Sequence, residues 1–201
     1  MSRLVMNTLM EFFYESLQQA LAEQKIQVGQ ATEYYLVDLL SRYSKAESLL
    51  QPTHEQQEKT YGELYLESYH LSPSERSKIL KYIGDTTLFL CGFFSESFKR
   101  KLVDIDYYAM LGRASYSHLV EVSEYIKMRI GVPEVFAELV NKFLDLIDVI
   151  AEIGEKTQLS GSTDLLRVYE RWLRTHSKRD RKLLREKGIE PIRDITPKFI
   201  H

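Results

Sequence analysis

Cysteine is nearly missing from this 201-residue chain, which holds a single one, Cys91. One thiol excludes an intramolecular disulfide and fits a reducing compartment, where Cys91 reads as a small buried hydrophobe. Prolines (5) and glycines (9) are sparse and stand where helices stop. Long apolar runs are missing too. The longest charge-free candidate, Thr86 to Ser95, is about half of the roughly 20 residues that a bilayer requires. After Arg3 the stretch LVMNTLM is interrupted by Glu11 with no small-residue cleavage site behind it, so no export signal is read and a cytoplasmic protein is expected. Gly-rich loops between strand and helix, G-x-S-x-G and a Cys/His pairing are all lacking, which removes the nucleotide-binding and acyl-transfer signatures. No cofactor is expected.

What is present is helix. Apolar residues at 44% and charged residues at 28% are ordinary for a globular protein, and the length suits one domain that buries roughly 70% of its unfolded surface. Nearly every long segment follows the 3.6-residue period. Helices are expected from about Asn7 to Glu23, Ala31 to Ser44 and Glu55 to His70. Ser72-Pro73-Ser74-Glu75 carries an N-cap, a first-turn proline and a glutamate at the third helical position, so another starts at Pro73. Gly84 is expected to end it, with Asp85 capping the next, through about Lys99. Asp104 caps one running to Ile130, and Pro133-Glu134 opens the most apolar helix, about 133–157, read as central. A last helix spans about Asp164 to Lys187. The sum is an all-α, single-domain bundle of about seven to eight helices over residues 1–188, with an extended tail at 189–201.

Charge is uneven. Residues 1–166 hold 16 Lys/Arg against 24 Asp/Glu, while residues 167–188 hold nine against three. A basic helix closes an acidic body, and Arg174, Lys178, Arg179, Arg181, Lys182 and Arg185 on it are candidates for contact with a polyanion or a partner. Its apolar positions thin out after Leu173, so the half from Thr175 onward is expected to project.

Di-iron bundles use Glu-x-x-His on facing helices, and one such motif occurs, Glu67-Ser68-Tyr69-His70. Tyr61, Leu64, Tyr65 and Tyr69 form the apolar stripe of that helix, which turns Glu63 and Glu67 away from the core. His118 approaches the next buried stripe alone, since Asp104 lies fourteen residues away, roughly 21 Å along a helix. No metal site is expected. Asp104 and Asp106 point about 200° apart, which suits a helix N-terminus better than a catalytic pair. Tyrosine is abundant, with 13 copies, and gives large contact area with a polar tip, suited to core edges and interfaces. Tyr107, Tyr108, His118 and Tyr125 are the candidates for a tyrosine-lined ligand site.

The stretch GDTTLFLCGFFSESFKRKLVDIDYYAMLGRASYSHL, Gly84 to Leu119, resembles a group of uncharacterised bacterial proteins. The resemblance covers about a fifth of the chain and implies a bacterial cytoplasmic setting but no activity. The leading expectation is a non-enzymatic interaction or regulatory module with a protein partner or self-association. A small-molecule or metal-binding bundle, or a helical-bundle enzyme, around His118 is the alternative, and nucleic-acid association through the basic helix is a third.

Overall fold

Serine 72 begins a helix as its sequence predicts: its hydroxyl accepts from the Glu75 N–H at 3.4 Å, and the Glu75 carboxylate accepts from the Ser72 N–H at 3.0 Å. The computed structural model describes residues 2–44, 60–95, 105–126, 132–156 and 177–186, with Val168 and Trp172. They form α1 (Ser2–Gln24), α2 (Gln30–Ser44), α3 (Tyr61–Glu67), a 3-10 turn (Ser68–His70), α4 (Pro73–Phe93), α5 (Ile105–Tyr125), α6 (Val132–Asn141), α7 (Phe143–Lys156) and α8 (Lys178–Glu186). No strand occurs among the described residues, and the all-α bundle is as expected. Among them no helix is long and apolar enough to cross a membrane. Asp104, Arg174 and the expected tail lie outside the described residues.

One core takes side chains from α1, α2 and α4 through α8, with Trp172 fully enclosed. Every residue from Ile83 to Phe94 is buried, so α4 is surrounded on all sides. Gly84 therefore does not end a helix, and Asp85 does not cap one. Both lie inside α4, because the missing Cβ at Gly84 admits the Tyr116 ring of α5, whose Cε1 would stand 2.5 Å from an added Cβ. The apolar segment 133–157 packs in the core as read, but as two helices divided at Lys142. Backbone bonds persist on both sides of the break, Lys142 N–H to Glu138 O at 3.0 Å and Leu146 N–H to Lys142 O at 2.8 Å.

The expected continuous last helix is interrupted at Ser177, which is not helical. Its hydroxyl accepts from the Asp180 N–H at 3.4 Å and starts α8. That helix does not project: Leu184 and Asp180 are buried.

Between α1 and α2 the turn is held from both ends. Ile26 N–H reaches Leu21 O at 2.9 Å and Lys25 N–H reaches Ala22 O at 3.2 Å, a Schellman closure with Lys25 at φ 57°. The far side is capped in tertiary fashion, with the Glu138 carboxylate of α6 accepting from Gly29 N–H at 2.9 Å and Thr32 Oγ1 at 2.6 Å. A left-handed conformation costs an L-residue about 1 kcal/mol that glycine avoids. Lys25→Gly is expected to raise the unfolding free energy by about 1 kcal/mol in urea titration; a decrease would mean that the lysine side chain stabilises the turn.

Candidate functional site

Three helices meet at a buried charge. Asp85 of α4 is fully enclosed, and its Oδ1 accepts from the hydroxyls of Tyr35 on α2 and Tyr116 on α5, the latter at 2.8 Å. Its Oδ2 accepts from Lys81 Nζ at 2.6 Å and Arg42 Nη2 at 3.3 Å. Burial alone raises the pKa of this carboxyl, but the charges of Lys81 and Arg42, with hydrogen bonds from Lys81 and Tyr35, more than offset it, so the group sits below its ordinary value. Burial, then the Asp85 charge, pushes Tyr35 and Tyr116 well above the usual phenol value. Both carboxylate oxygens are used by protein donors. The cluster ties α2, α4 and α5 together and leaves no lone-pair direction for a substrate.

Cys91 is equally closed to chemistry. Burial, with the nearby Asp106 charge, pushes its thiol up to about 12, so it holds its proton at neutral pH and is a poor nucleophile.

His118 on α5 packs against two rings that also touch each other, with centroids 5.7 Å from Tyr65 of α3 and 5.8 Å from Tyr69 of the 3-10 turn. Its Nδ1 shares a hydrogen bond of 2.6 Å with the Tyr65 hydroxyl. Burial, then the hydrogen bond and charge of Tyr69, drives Tyr65 well above the ordinary phenol value. Tyr107 and Tyr108 do not join this group. They pack against each other at 5.5 Å and Tyr108 packs against Tyr61 at 6.1 Å, near the start of α5 and about 16 Å along the helix from His118. Tyr125 is 78% exposed. The four expected tyrosine-site residues therefore line one helix without enclosing an interior cavity.

Sequence reading missed the groove that the fold does build beside His118. It has a volume of about 300 Å³ and is lined by Tyr69, Leu71, Arg76, Glu121, Val122 and Tyr125 among others. The Arg76 guanidinium stacks on the Tyr69 ring, 4.3 Å from its centroid. Arg76 had no signal in the sequence, since its value depends on Tyr69 folding back across the α4 start.

Among the described residues no three His, Cys, Asp or Glu side chains converge where a metal could be held; Glu67 and His70 are both exposed. On α8, Lys178, Arg179, Lys182 and Arg185 are exposed, while Asp180, Arg181, Lys182 and Arg185 all have interaction partners within the chain. The helix is thus docked through Asp180 and Leu184, with Lys178, Arg179, Lys182 and Arg185 on its exposed side.

Compared with protein-family models, curated proteins and solved structures, the chain matches none.

Proposed function

We propose that the protein is a non-enzymatic interaction or regulatory module of the bacterial cytoplasm, which binds a protein partner, a second copy included, across the seam of α3 and α5. The observation that carries this reading is an exposed apolar group at that seam. Leu66 is 66% exposed, Met110 65% and Tyr107 43%. The Tyr107 hydroxyl lies over Gly62, 2.6 Å from where a Cβ would stand, which brings the two helices together. Leu66 follows Gly62 by one turn of α3 and Met110 follows Tyr107 by one turn of α5, so each lies on the face of its own helix that carries the Gly62–Tyr107 contact. Aromatic residues and methionine are enriched at the centres of protein interfaces, and a cluster of large apolar side chains held in water is costly without a partner. The non-enzymatic part rests on the sealed Asp85 and the protonated Cys91. The cytoplasmic and bacterial parts rest on the lone thiol and on the resemblance over residues 84–119.

Leu66→Asp combined with Met110→Asp tests the reading. Because both positions are largely in water, stability should change by no more than about 0.5 kcal/mol each. Complex formation, followed by light scattering on size-exclusion columns for self-association and by co-purification for another protein, should fall by tenfold or more, the scale of losing an interface anchor. Unchanged association by the doubly substituted chain would refute the seam as the contact face.

A further inference from the structure

We propose that the groove between the start of α4 and the end of α5 binds a small aromatic carboxylate. It lies beyond the partner seam and uses none of Leu66, Tyr107 or Met110. The inference starts from Arg76. Its Nε is buried and has no hydrogen-bond partner, while its guanidinium is fixed in place by the stack on Tyr69. That Nε is enclosed beyond a ligand's reach, whereas the two Nη groups are without a partner and not enclosed, so they are the donors a ligand in the groove would meet. No ion pair with Arg76 occurs among the described residues, although Glu121 lines the same groove.

The lining decides the class of acceptor. A single guanidinium matches one carboxylate through two parallel hydrogen bonds. A phosphate dianion would bring twice the charge against the Glu121 carboxylate with only one cation to balance it. Glu121 can in turn accept from an ammonium or hydroxyl on the ligand, which extends the class to aromatic amino acids. Leu71 and Val122 supply an apolar floor, and the exposed Tyr125 offers an uncovered ring for stacking. At about 300 Å³ the groove sits at the small end of ligand sites, room for one ring and an acid arm.

Amide shifts of the full-length ¹⁵N-labelled protein, titrated with benzoate, phenylalanine, benzyl alcohol and phenyl phosphate, test the assignment. Benzoate or phenylalanine should move amides near Arg76 and Tyr125 saturably, with benzyl alcohol at least tenfold weaker. Arg76→Gln should weaken the acid by roughly tenfold or more, the scale of a charge-assisted hydrogen bond. Tyr125→Ala, at a surface position, should weaken it with the fold intact, and decides the matter together with benzyl alcohol if Arg76→Gln does not fold. The proposal is overturned if neither acid gives a saturable shift at about 10 mM, where a 1 mM ligand is about nine-tenths bound. It is equally overturned if phenyl phosphate binds more tightly than benzoate, or if Arg76→Gln folds and binds unchanged. With Leu66, Tyr107 and Met110 left untouched, failure here does not bear on the partner seam.

Discussion

Asp85→Asn should destabilise the protein by about 3 kcal/mol, the lower end of what breaking a buried charge pair costs. The lower end applies because the side chains of Arg42 and Lys81 are 30% and 36% exposed and can turn toward water. Tyr116, wholly buried, cannot; its hydroxyl loses a charged acceptor, worth more than a neutral one. Urea unfolding followed by the fluorescence of the single tryptophan, Trp172, gives the number directly. The same cluster sets the pH dependence. A carboxyl held below its ordinary value contributes stability above about pH 3.9 that is lost as pH falls through the lower folded value. Tyr35 and Tyr116, held above theirs, contribute stability below about pH 10 that is lost as pH rises further. Wild-type stability should therefore decline on both sides. Asp85→Asn should flatten the acid limb, and Tyr116→Phe should reduce the alkaline one. A loss under about 1 kcal/mol, with an unchanged acid limb, would show that the helices do not depend on this carboxylate.

Gly92→Ala should also destabilise, by about 2 kcal/mol, against the sign expected from helix propensity. In an exposed helix the change gains about 1 kcal/mol. At Gly92, however, an added Cβ would meet Ile150 Cβ and Cγ2 at 2.6 Å and the Ile147 carbonyl oxygen at 3.2 Å. These atoms belong to the rigid part of α7, so α4 and α7 must separate to make room, and interiors are too closely packed to absorb that. Gly62→Ala is the contrasting case. There the obstacle is the far end of Tyr107, itself 43% exposed, so the ring can swing aside and the change should be near neutral. Equal effects at both glycines would contradict the close α4–α7 approach.

The glycines also show how far sequence reading reaches. Ser72 to Glu75 was legible as a helix start because capping is local chemistry, complete within four residues. The periodic segments were legible because apolar spacing reports a buried face wherever that face packs. Gly84 was misread since a glycine inside a helix and a glycine after one look alike; only the Tyr116 ring, 32 residues on in the chain, distinguishes them. Asp85 left a signal that could have been weighed differently. A carboxylate opening an otherwise uncharged run, TTLFLCGFFS, is either a cap or a paired buried charge, and its partners Tyr35, Arg42 and Tyr116 lie far from it in sequence. Lys142 gave no warning of the break in 133–157, because its role comes from bonds to Glu138 and to the Gln27 carbonyl across the α1–α2 turn. At the site, His118 does lie beside the buried stripe of α5, whereas the tyrosines that meet it are Tyr65 of α3 and Tyr69 of the 3-10 turn. Helical spacing groups residues within one helix and is silent on which helix lies opposite.

Site-specific photo-crosslinking in living cells tests the partner seam most directly. With p-benzoylphenylalanine in place of Met110, illumination should give one discrete adduct of higher mass, while the same group in place of the exposed Glu155 near the end of α7 should give none. No adduct from position 110, or equal labelling from both positions, would contradict the seam of α3 and α5 as a binding face.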